Sequence, residues 1–200
     1  MLKFCLVLYL NCFTNGFVAY GIGYSIGVFG GNLFLSVFLL TIADTISNFF
    51  QIYVLKKWPR LPVLTCSLII NAICCFLLSA VLWFQLSTIY RMIIVMFIHF
   101  SANVSFRLAY LLSTEIIPTS MRQLGVGSCT VAIRVGSIMA PFIKEFSAWT
   151  HPSVSMGLFG ALMVIDAIVV WLLPETKGIE IPDTLYEAAN IGKKEKETEC

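Results

Sequence analysis

The stretch FCLVLYLNCFTNGFVAYGIGYSIGVFGGNLFLSVFLLTIA (4–43) runs for forty residues without a Lys, Arg, Asp or Glu. A hydrocarbon core about 30 Å thick is crossed by about 20 apolar residues in a helix. This one stretch therefore holds two crossings, and Gly27, Gly30 and Gly31 mark the turn between them. A second uncharged run, residues 61–90, adds thirty more. The 200-residue chain is 58% hydrophobic and 12% charged, with a mean hydropathy of +0.89. Soluble domains are about half apolar and about a quarter charged. The balance excludes a solvated domain, a disordered chain and a disulfide-stapled secreted fold. It predicts an all-α polytopic membrane protein.

Breaks in the apolar pattern predict six transmembrane helices at roughly 4–26, 32–55, 63–84, 89–112, 120–146 and 154–173, followed by a polar tail, 174–200. The two prolines of the basic turn KKWPRLP (56–62) deny the second helix continuation. STEIIPTSMR (113–122) is the longest polar interruption; Pro118 breaks the chain there, and Thr119 or Ser120 is a candidate N-cap for the fifth helix. Basic residues near helix ends set orientation. Lys3, Lys56, Lys57, Arg60, Arg122, Lys177, Lys193, Lys194 and Lys196 fall on one side, Arg91 and Lys144 on the other. The rule puts both termini and the two polar loops in the cytoplasm. The seven cysteines have no metal-type spacing, and the sequon Asn103-Val104-Ser105 lies inside the fourth helix, beyond reach of glycosylation.

Five ionisable residues fall within the spans: Asp44, His99, Arg107, Arg134 and Asp166. An Asp or Arg at mid-membrane costs about 2.5–3.5 kcal/mol on insertion scales and calls for a partner or a watery cavity. Asp44 and Arg134 lie at similar depth, near the midplane. They read either as an ion pair between helices or as a substrate or coupling-ion site. Arg107 is close enough to the cytoplasmic face to snorkel, and Asp166 receives no role from the sequence. His99 reads as a hydrogen-bonded packing histidine or as a proton relay. Glycines at 23, 27 and 31 repeat a GxxxG spacing, either for close packing or as flexible points. The first helix also carries Tyr9, Asn11, Thr14, Asn15, Tyr20 and Tyr24, unusually polar for a span. No HExxH, no paired carboxylates on one face and no nucleotide loop support an enzyme, and the pattern implies no cofactor, no metal and no nucleic-acid partner.

TEIIPTSMRQLGVG (114–127) resembles the cytoplasmic-loop signature of the organic cation, anion and carnitine transporters of the major facilitator superfamily. That signature reads roughly acidic-Leu-Tyr-Pro-Thr-x-x-Arg-Asn-x-Gly. LLPETKGIEIPDTLYEA (172–188) resembles the family's cytoplasmic exit, and YGIGYSIGVFGGNLFLSVFL (20–39) its seventh helix, outer turn and eighth helix. Ile116-Ile117 and Gln123 depart from the pattern, as does the KKWPR turn. The resemblance implies the C-terminal half of a twelve-helix fold, built from two inverted three-helix repeats, with the first, second, fourth and fifth helices lining a cavity.

It implies, too, that the chain is a fragment of a longer protein or pairs with a missing N-terminal six-helix half. The implied function is transport of a small organic ion across a lipid bilayer, most simply the plasma membrane, by alternating access. Two positions acidic in the cation branch are basic here, Arg134 and Arg107. That favours an anion or a carnitine-like zwitterion. Asp44 keeps the zwitterion open, and Asn48 stands where the anion branch often has Lys. The substrate residues so implied are Arg134, Asp44, Arg107, Asn48 and Tyr20. Glu115, Arg122, Glu175, Lys57 and Arg60 form an implied cytoplasmic gate, against which stands ordinary solvated loop charge. The other functional readings are an inactive or regulatory half-transporter and an organic cation transporter.

Overall fold

A computed structural model of the protein describes residues 2–25, 33–171 and 173. Glu175, the polar tail and the glycines at 27, 30 and 31 lie outside the described residues. Six α-helices follow one another: α1 Leu2–Ser25, α2 Leu33–Lys57, α3 Arg60–Trp83, α4 Thr88–Ile116, α5 Arg122–Trp149 and α6 Pro152–Val170. Each contains a window apolar and long enough to cross a bilayer. The described residues hold no strand. The protein is an integral membrane helical bundle.

Helix ends follow local chemistry more closely than polarity. α4 continues through Ser113, Thr114 and Glu115, where the sequence reads as a loop. Ser113 Oγ donates to the Ala109 carbonyl at 2.8 Å and Thr114 Oγ1 to that of Leu111 at 2.7 Å. Their hydroxyls are thus satisfied inside the helix. The helix ends where Ile117 turns extended (φ −85°, ψ 127°) ahead of Pro118, as a residue preceding proline prefers. Residues 119–121 form a 3-10 turn, and α5 starts at Arg122 with no side-chain cap. Between α2 and α3 the break is only Trp58-Pro59. Pro62 falls in the first turn of α3, where a missing N–H costs nothing. α6 opens with Pro152 at its first position, capped by His151 Nδ1, which accepts from Ser153 N at 3.3 Å.

α1 is the most enclosed helix, packed on α5, α4 and α6; α3 packs on α6 and α4, and the main packing of α2 is on α4. In lipid, burial of apolar side chains does not by itself drive helices together, so close backbone approach and hydrogen bonds between helices matter more. Both are present. The would-be Cβ of Gly16 lies 2.6 Å from the Ile133 carbonyl oxygen, and that of Gly136 lies 2.5 Å from the Phe13 carbonyl oxygen, so α1 and α5 touch backbone to backbone. At Gly23, one of the glycines whose spacing suggested close packing, nothing among the described residues comes within 4 Å. Close contacts fall at Gly16, Gly21 and Gly136, among others, which no regular spacing announces. Ser101 Oγ donates to the Ser67 carbonyl at 2.7 Å and Ser79 Oγ to that of Ser153 at 2.8 Å, tying α4 and α6 to α3.

Candidate functional site

A cleft of about 460 Å³ opens between α1 and α4, lined by Tyr20, Gly23 and Tyr24 from one and by His99, Asn103 and Phe106 from the other. Its size is that of a small-molecule site. Asp44 of α2 stands behind its α4 wall. Oδ1 of Asp44 accepts from Asn103 Nδ2 at 2.5 Å and pairs with His99 Nδ1 at 2.8 Å. Asn103 Nδ2 also reaches the His99 carbonyl at 2.9 Å, one turn back on the same helix. The His99 and Asp44 side chains are 20% and 35% exposed, so the cluster is open on one side.

Arg134 of α5 is exposed and donates from Nη1 to the Tyr20 hydroxyl at 3.4 Å. No ion pair joins it to Asp44: the carboxylate is engaged by α4, not by α5. Of the expected substrate residues, Tyr20 lines this cleft, while Asp44 lies behind its α4 wall and Arg134 reaches the Tyr20 hydroxyl from α5. Arg107 lies apart, lining a second cleft of about 560 Å³ with Gln51, Leu55, Tyr110 and Thr114. Phe106 borders both clefts, so they follow one face of α4. Asn48, one turn after Asp44, is half-buried, and its Oδ1 has no hydrogen-bond partner.

One residue of this site, Asn103, escapes sequence reading, and for another, His99, the partner does. Asn103 sits in the unusable sequon, and its role as a donor to Asp44 depends on the α2–α4 packing. His99 is hydrogen-bonded, as one of its two readings has it, and the missing signal was the identity of its acceptor. The pair sits at i and i+4 on α4, the spacing that places two side chains on one helix face.

At the cytoplasmic end, Arg60 at the start of α3 forms an ion pair with Glu115 near the end of α4. Arg122 is half-buried, and its Nε and Nη2 have no acceptor among the described residues. Lys57 is exposed at the end of α2. Of the five gate positions, the structure brings Arg60 and Glu115 together.

A membrane bundle with ionisable side chains gathered around an intramembrane cleft has the architecture of a solute transport protein. Residues 6–186 match the family model described as sugar (and other) transporter, and the chain belongs to that family. Among curated proteins it is 28% identical to rat solute carrier family 22 member 3 over 198 residues, which is 96% of this chain and 34% of that protein. It is 30% identical to bovine member 6 over 189 residues and to human member 16 over 190, in each case 94% of this chain, and 34% and 32% of those proteins. The chain spans about a third of the length of the curated relatives it matches.

Proposed function

We propose that this chain is the C-terminal half of a plasma-membrane transporter that carries small organic ions by alternating access, with an anion or a carnitine-like zwitterion as substrate. Both termini face the cytoplasm in this reading. The observation that carries it is the separation of Arg134 from Asp44. A guanidinium in the membrane keeps its charge, and Asp44 is spoken for by His99 and Asn103. Among the described residues Arg134 has the Tyr20 hydroxyl as its one side-chain hydrogen-bond partner, and its planar fork suits a carboxylate or sulfate-like group bidentately. Asp44, partly exposed behind the α4 wall, suits the positive end of a zwitterion. Arg107 in the second cleft offers an anion a second stop toward the cytoplasm. At the inner face the two unfilled donors of Arg122 suit an acceptor on the N-terminal half, and the Arg60–Glu115 pair braces that gate.

The test is uptake by the full-length protein. Arg134→Lys weakens uptake, Arg134→Asp abolishes anion uptake, and exchanging Asp44 with Arg134 does not restore it. Inhibition by a quaternary ammonium, with none by an organic anion or by carnitine, rejects this substrate class. It would favour the second reading, a cation carrier, which the aromatic lining of Tyr20, Tyr24 and Phe106 beside a carboxylate supports.

A further inference from the structure

Asp166 lies near the end of α6, fully buried, and its Oδ2 accepts Nδ2–H of Asn11 on α1 at 2.8 Å. The other carboxyl oxygen, Oδ1, is buried with no donor, and so is the carboxamide oxygen of Asn11. An ionised carboxylate has only acceptors to offer, and the Asn11 oxygen is one more. The pair as an ion thus leaves two buried acceptors without a donor among the described residues.

The surroundings supply no counter-charge. Among the described residues no ion pair involves Asp166. The titratable neighbour on α1 is the Cys12 thiol, which is in turn within hydrogen-bond reach of Ser113 Oγ on α4 at 3.9 Å. On α3 the contacts of Gly160 with Phe76 and of Gly157 with Ser79 fix an antiparallel register that brings Asn71 level with Asp166. Asn71 is buried and uncharged, and its Nδ2 bonds to nothing.

One proton resolves the count, because it turns one of the two surplus acceptors into a donor. We propose that Asp166 and Asn11 form a proton-binding site, in which the Asp166 carboxyl carries a proton and donates it to the Asn11 carboxamide oxygen across the α1–α6 seam. The proton is taken from water and returned to it when the helices part. A metal cation needs a fuller oxygen shell than two atoms provide. Because α1 also carries Tyr20 of the cleft, opening this seam couples proton release to movement of a cleft wall.

Infrared difference spectroscopy on the full-length protein in lipid tests the assignment without reference to any transported substrate. At neutral pH the native protein should show a protonated-carboxyl C=O band that shifts in D2O. The band should vanish in Asp166→Asn and move in Asn11→Ala, which removes its acceptor. Asp166→Asn should keep the native Tm, since an amide also offers a donor, whereas Asp166→Ala should lower it. If the bands lost in Asp166→Asn are carboxylate stretches, with or without sodium, the proposal is overturned. Should Asp166→Asn fail to fold, an unmoved carboxyl band in Asn11→Ala overturns it equally.

Discussion

Gly136→Ala tests how α1 and α5 are held together. The added methyl would sit 2.5 Å from the Phe13 carbonyl oxygen and 2.8 Å from the Phe17 nitrogen. Contacts to carbon are favourable near 3.5–4.0 Å, so the overlap is roughly 1 Å. Both obstacles are backbone atoms of α1, so no side-chain rotation relieves it and the helices must separate. Overpacking of this kind costs about 1–3 kcal/mol, while replacing a helical glycine by alanine returns about 1 kcal/mol. The opposite case is Gly23→Ala, where the new methyl meets no atom of the described residues within 4 Å and only the favourable contribution remains. The two substitutions are chemically identical, so their difference isolates the contact: about 1–3 kcal/mol, or roughly 5- to 150-fold in the folded ratio. Thermal unfolding of the full-length protein in detergent, read by fluorescence size exclusion, measures it. Gly136→Ala should unfold several degrees below Gly23→Ala. Adding Gly16→Ala to Gly136→Ala should cost less than the sum, because one separation of the helices accommodates both methyls. Equal midpoints for Gly136→Ala and Gly23→Ala would refute the backbone contact between α1 and α5.

Phe159→Ala removes a fully buried ring stacked edge-on to Phe17 at 5.4 Å and should cost about 3–5 kcal/mol, visible as loss of monodisperse protein. Asn103→Leu takes one donor from Asp44, so uptake should fall about tenfold or more, as expected for loss of a charged hydrogen bond of ~1.5–3 kcal/mol; glycosidase treatment should leave the gel mobility of native and variant protein alike. Glu115→Gln removes the acceptor charge beside Arg60. If the gate reading holds, radiolabelled uptake changes in rate in Glu115→Gln and in Arg122→Ala; unchanged rates in both would reduce these residues to ordinary loop charge.

Crossing a bilayer is a demand on each segment separately, and for that reason the sequence alone specified six apolar helices. Each span must satisfy its own backbone hydrogen bonds and present about 20 apolar residues to lipid. Both conditions can be read from the uncharged runs 4–43 and 61–90. The ionisable residues inside the spans were visible for the same reason, since each is an exception in an apolar field. Their partners were not visible. Equal depth made Asp44 and Arg134 look like mates, but depth fixes only one coordinate. The rotation of each helix about its axis fixes the others, and packing turned Asp44 toward His99 and Asn103. The glycines show the same limit: the α1 and α5 backbones meet at Gly16 and Gly136, which share no regular spacing in the sequence. Asp166 had no reading until α1 brought Asn11 to it. Which residues must lie in the membrane follows from one-dimensional chemistry; which of them meet there is decided by the angles at which the helices pack.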